Sequence, residues 1–307
     1  MMTMPFSDSL RAHPVASSSP YLPQTLAHAN EQNQTNLPSL ATSSCAAATA
    51  AEKQDTPALT IRNLSKLFES HVAVAQVNLD IPVGAFYGIV GPNGAGKTTM
   101  LSMATGLMLP DMGQVFIHGI DLWNSPKQAK NLLGVLPDGV DTFDRLTGNE
   151  LITYAGILRG LDKTTARRRA ADLMRALDLA DASKKMISEY SAGLTKKINL
   201  ACALVHSPRI LVLDEPFESV DPISAGTIIE ILQKYCSDGG TIVLSSHVMA
   251  TVEKLCTHVA IMDRGIIKAC GTLSEVAGGR SLEDRFIELV GGMKHAEGLE
   301  WLAPSAQ

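Results

Sequence analysis

Gly91-Pro92-Asn93-Gly94-Ala95-Gly96-Lys97-Thr98 decides how the rest of the chain is read. It fits the spacing G-x-x-x-x-G-K-[ST], a glycine-punctuated loop closed by a lysine and a hydroxyl. A short apolar run of strand length, Ala85–Val90, leads into it, and a predicted helix over Gly96–Gly106 leads out. Such a loop turns backbone N–H groups inward around phosphate oxygens, and the helix N-terminus adds positive potential. Lys97 is then placed to reach the β- and γ-phosphates of a nucleotide, and the Thr98 hydroxyl to ligate Mg²⁺.

Chemistry on that phosphate needs carboxylates. Ile210-Leu211-Val212-Leu213-Asp214-Glu215 is an apolar strand ending in two acids, where buried charge finds a partner. Asp214 is read as holding Mg²⁺ through its water shell, and Glu215 as orienting and deprotonating the attacking water.

Strands are also predicted at Ala58–Arg62, Ala73–Ile81, Gln114–His118 and Thr241–Ser245. Between them lie helices with start signals. Thr147 and Glu150 have capping-box spacing for a helix to about Arg159. Asp162 caps a helix carrying Ala166–Leu177, and Ser191 one running to about His206, with Pro208 beyond it. Strands interleaved with helices give an α/β fold with a mainly parallel sheet. Arg167-Arg168-Arg169 fans around its helix and reads as solvated surface. Met100, Met103 and Met108 read as core filler, and Ser281–Leu289 as a short amphipathic helix.

The chain has 307 residues and a net charge of −5, which argues against a partner made of nucleic acid. All of its 24 glycines lie at Gly84 or later. Residues 1–55 are rich in Ser, Pro, Ala, Asn and Gln, with a polar tract at Asn30–Asn36, and read as a disordered tail. Five cysteines without a CxxC pair argue against a disulfide framework or zinc site and for a reducing compartment. No stretch is long and apolar enough to span a membrane, and the N-terminus lacks the pattern of a signal peptide.

The loop, the acid pair and three further segments closely resemble the ATP-binding subunit of ABC transporters, over roughly residues 58–290. Tyr190-Ser191-Ala192-Gly193-Leu194 stands where the family has L-S-G-G-Q, keeping Ser191 and Gly193. His247, after Leu244-Ser245-Ser246, matches the switch histidine, and Glu218-Ser219-Val220-Asp221 matches the loop where two subunits meet. Phe68 lies where relatives stack an aromatic on adenine. Asp138 stands where relatives often carry a glutamine that touches Mg²⁺.

The resemblance implies a P-loop NTPase of ABC type: a RecA-like core (56–136 and 206–291), an antiparallel β subdomain, a helical insert (137–205) and a short closing tail (292–307). It implies ATP and Mg²⁺ held by Phe68, Gly91, Pro92, Asn93, Gly94, Ala95, Gly96, Lys97, Thr98, Thr99, Ser191 and Gly193, with Thr98, Asp138 and Asp214 on the metal. Glu215, His247 and Lys97 are its expected catalytic residues. The expected partners are a second ATPase subunit, alike or different, and a separate membrane permease, with the chain peripheral on the cytoplasmic face. Val140–Gly148 together with Tyr190–Gly193 looks most like bacterial drug and antibiotic exporters. Two rival readings are a soluble ABC-type ATPase acting on ribosomes or DNA, and a degenerate cassette that binds ATP beside an active partner. Ala192, Leu194 and Asp138 motivate the second.

Overall fold

Two strands, β1 (Leu59–Phe68) and β2 (His71–Ile81), form a long antiparallel hairpin. Pairing of β1 with β4 (Met112–Ile117), and of β4 with β5 (Ile120–Asp121), completes an antiparallel sheet of order β2-β1-β4-β5. The computed structural model describes residues 56–139, 143 and 145–291. The expected tails, the Asn30–Asn36 tract, and Val140–Thr142 and Asp144 of the exporter-like segment lie outside the described residues.

A second sheet is built on β3 (Phe86–Val90), all five residues of which are buried. Its order is β10-β9-β3-β8-β7-β6, with β6 at Leu133–Leu136, β7 at Ile210–Leu213, β8 at Thr241–Ser246, β9 at His258–Asp263 and β10 at Ile266–Thr272. The five strands from β9 to β6 run parallel; β10 returns antiparallel along β9. The side chains alternate strictly between two cores, as a sheet covered on both faces requires. Tyr87, Ile89, Val212, Val243 and Ala260 join the core shared with the antiparallel sheet and α1 (Lys97–Ala104). Phe86, Val90, Leu211, Leu213, Ile242, Leu244 and Ile261 face the other way.

That second core takes in α3 (Gly148–Leu158), α4 (Lys163–Ala176) and α5 (Ala192–Leu204), reached through the short α2 (Pro126–Asn131). It also takes in α6 (Pro222–Ser237), α7 (Met249–Leu255), α8 (Leu273–Ala277) and α9 (Leu282–Val290). The anticipated caps are in place. Thr147 and Glu150 form a reciprocal capping box, Asp162 accepts from Thr164 and Thr165 N–H, and Ser191 accepts from Leu194 N–H. Each satisfies N–H groups that a helix start leaves open.

One reading needs correction. Arg167 and Arg168 are exposed, but Arg169 donates to Val205 O and to Ser207 Oγ, tying α4 to the end of α5. Cys202, Cys236 and Cys256 are free thiols, and burial pushes Cys202 and Cys256 up to about 12, which keeps them protonated. Among the described residues no helix is long and apolar enough to cross a membrane.

Candidate active site

Because β3, β8 and β7 are parallel neighbours, their carboxyl ends open on one edge, the usual ligand crevice of such sheets. From β3 the chain enters the glycine loop and α1, whose first residue is Lys97. Asp214 and Glu215 follow β7, and His247 follows β8. These segments, with the β1–β2 turn, surround a cavity of about 590 Å³, a size suited to a small-molecule ligand. Of the anticipated residues, Phe68, Asn93, Gly94, Ala95, Gly96, Lys97, Thr98, Thr99, Asp138, Glu215 and His247 line it. His71, Ala73 and Glu218 also line it and were not foreseen as site residues. Gly91, Pro92 and Asp214 are not among the lining residues.

The loop is shaped by what it lacks. Gly96 has φ +99°, and a Cβ there would lie 2.3 Å from Ala73 O, so only glycine fits. Gly94 has φ +79° and faces open space. The start of α1 carries no side-chain cap, so its N–H groups remain available to an anion. Lys97 Nζ is nearly buried and donates to Gly91 O at 2.8 Å and to Pro92 O at 3.3 Å. Its own loop thus aims it across the cavity, 3.7 Å from Glu215 Oε1. The cradle fits a nucleotide's phosphates.

The acids are held by a residue that sequence reasoning passed over. Ser245 Oγ donates to Asp214 Oδ1 and accepts from Glu215 N–H at 2.9 Å. Asp214 is 4 % exposed, where an unpartnered carboxylate would be costly. The signal was a pair of hydroxyls ending an otherwise apolar strand. Glu215 Oε2 accepts from His247 Nδ1 at 3.1 Å, which leaves Nε2 as the free ring nitrogen. Glu215 and Ser219 both have positive φ, +45° and +61°, a backbone cost of about 1–2 kcal/mol each.

Thr98, Asp214 and Glu215 offer hard oxygen ligands, which suit Mg²⁺. Among the described residues no three His, Cys, Asp or Glu side chains gather as a metal cage. Mg²⁺ favours such sparse sets, since it binds through one or two carboxylates and substrate phosphates, so the residues fit that ion. Asp138 does line the cavity, but its Oδ1 is 3.3 Å from Lys196 Nζ.

At the far end Phe68 is 42 % exposed, with Lys66 Nζ 5.7 Å from its ring centroid. Lys66 is anchored by Asp111 at 2.8 Å and by Leu109 O at 3.0 Å. That hydrogen bond from Lys66 holds the Asp111 carboxyl below its ordinary range. One face of the ring is therefore taken by a cation. Ser191 and Gly193 are not brought to this cavity. Ser191 is exposed at the start of α5, and a Cβ on Gly193 would lie 3.2 Å from Ser219 O.

Comparison with known proteins identifies the family. The family described as ABC transporter matches residues 74–218. The linearmycin resistance ATP-binding protein LnrL of Bacillus subtilis is 32% identical over 239 residues, 78% of this chain and 76% of that protein. The daunorubicin/doxorubicin resistance ATP-binding protein DrrA of Streptomyces peucetius is 32% identical over 223 residues, 73% and 68% of the two chains. A solved ATP-binding subunit of an ABC transporter superposes with a TM-score of 0.71 at 28% identity, covering 75% of this chain and 98% of that one. With a RecA-like parallel sheet, an antiparallel β subdomain and a helical insert around a phosphate cradle, the chain belongs to the ABC transporter family, as one of its ATP-binding, ATP-hydrolysing subunits.

Proposed function

We propose that the subunit cleaves the γ-phosphoryl of ATP with Glu215 as general base, and that the work drives export through separate permease chains at the cytoplasmic face of a membrane. The observation that carries the proposal is the meeting of Lys97, Glu215 and His247 on one cavity, each on a segment that follows a different strand. Lys97 and the N–H groups of Gly94–Thr99 bind and orient the phosphates. Phe68 offers its open ring face to adenine. His247 donates Nδ1–H to Glu215, fixing the carboxylate and turning Nε2 toward the phosphate end. Glu215 takes the proton of the attacking water. Thr98 and Asp214 would hold Mg²⁺, which neutralises charge on the β- and γ-oxygens when bound.

The exposed helix start at Ser191 and Gly193 lies away from the chain's own cavity. In this proposal it closes over the nucleotide of a second subunit, so that each site is completed, and freed of water, by the pair. The insert, 137–205, between core segments 56–136 and 206–291, carries that closure to the permease. Export is supported by the names of LnrL and DrrA, both resistance proteins. Those two relatives weigh against action on ribosomes or DNA. The intact Lys97–Glu215–His247 arrangement weighs against a degenerate cassette despite Ala192, Leu194 and Asp138.

Glu215→Gln tests the assignment. It keeps the side chain's shape and removes the base, so ATP binding and dimer closure should persist while phosphate release falls by about 10²- to 10⁴-fold. Turnover at the parental rate would overturn it. Purification in mild detergent should return membrane proteins with the chain; ribosomes in their place would overturn the transport reading.

A further inference from the structure

Lys196 sits in the second turn of α5 with its side chain only 13% exposed, and among the described residues its acceptor is Asp138 Oδ1 at 3.3 Å. The pair is lopsided: Asp138 is 44% exposed and lines the cavity shared with Thr98 and Glu215. An ordinary surface pair of this protein, Lys234–Asp238, is open at both ends, at 77% and 63%. The Lys196 stem is packed against the protein, while its ammonium meets an exposed carboxylate at the cavity wall. Because the stem is already held, little side-chain freedom is lost in making the pair, and the pair itself stays open to solvent and easily exchanged. A divalent cation in the same cavity would pull on the same carboxylate with twice the charge at closer range.

We infer that Lys196 is a positioning residue that holds Asp138 in the empty site and yields it to the metal of an incoming nucleotide. The inference rests on the reading of the cavity as a Mg²⁺–nucleotide site. Asp138 then answers to two cations in turn, Lys196 before loading and Mg²⁺ after it. Because Lys196 is rooted on α5, the exchange also reaches the helix whose first turn carries Ser191 and Gly193. Metal arrival at one site thereby loosens a tether on the helix that faces the other subunit.

The test is binding of trinitrophenyl-ATP to the full chain, read by fluorescence as Mg²⁺ is titrated. Lys196→Met should lower the Mg²⁺ midpoint about two- to fivefold, the scale of one solvent-exposed ion-pair competitor lost. Affinity in EDTA should stay at the wild-type value, and Lys196→Arg should restore the wild-type midpoint. In an Asp138→Asn background Lys196→Met should change nothing. A Lys196→Met midpoint equal to wild type, or a shift that survives in the Asp138→Asn background, overturns the inference. Should Lys196→Met not fold, Asp138→Asn alone decides: its side chain is largely exposed, and its midpoint must rise because a metal partner is lost. An unchanged midpoint there overturns the inference as well. Wild-type protein that binds no trinitrophenyl-ATP at any Mg²⁺ concentration would instead overturn the nucleotide-site reading on which it stands.

Discussion

Ser245 joins the two acids with one hydroxyl, donating to Asp214 and accepting from the N–H of Glu215. Ser245→Ala would strand a buried carboxylate oxygen and a backbone donor together. Loss of about 1–3 kcal/mol in a denaturant titration is expected, with a fall in ATP turnover because Glu215 loses its backbone anchor. The phosphate loop and the acid pair were legible in the sequence because each is a contiguous run whose residue types have few other uses. Ser245 was not, because its partners are 30 and 31 positions away, and a serine at a strand end has many bland explanations. Asp138 shows the opposite failure. Alignment placed it at the cavity, but the competing Lys196 comes from another element and could not be seen in the linear order.

Among the elements, helix starts were the easiest to read. Thr147, Asp162 and Ser191 each cap the helix expected of them, because the cap signal is local. Asp221 with Pro222 carries the same signal for α6, within the segment that resembles the family's subunit-contact loop. β6, β9 and β10 were missed because short apolar runs are ambiguous until a neighbouring strand claims them. β10 is only half-buried along most of its length. Ser191 allows structure and function to be separated. Aspartate is as good an N-cap as serine, so Ser191→Asp should unfold within about 0.5 kcal/mol of the parent, whereas Ser191→Ala should lose about 1 kcal/mol. If the α5 start receives a second subunit's γ-phosphate, only Ser191→Asp adds charge repulsion, and it should be the worse ATPase of the two despite its greater stability. Parallel thermal melts and phosphate assays check this.

For the whole molecule, binding and protonation set the stability. ATP at 100 times its dissociation constant should add about 2.7 kcal/mol to unfolding, visible as a rise in Tm that Lys97→Ala abolishes. The acid limb should be steep for a specific reason. His206 Nε2 donates to Leu133 O at 3.0 Å, its Nδ1 is buried without a partner among the described residues, and burial, with Arg159 nearby, drives its pKa down to about 4. A base whose pKa is depressed by folding prefers to stay neutral in the fold. Its contribution is therefore complete above the unfolded value of about 6.5 and is lost as pH falls toward 4. Tm measured from pH 7 to pH 4 should fall less steeply in His206→Gln than in the parent. The α/β class and the interrupted core were legible at this scale from strand and helix alternation. The two-faced division of the cores was not, since it depends on strand partners far apart in the chain. The same separation orders events in time. The loop that cradles phosphate hangs from β3, but the strands that flank β3 begin only at Thr241 and His258. At roughly 5–20 residues per second of synthesis, the loop waits on the order of ten seconds or more for its walls to be made. ATP therefore cannot nucleate this fold as the chain emerges; it can only reward a chain already finished.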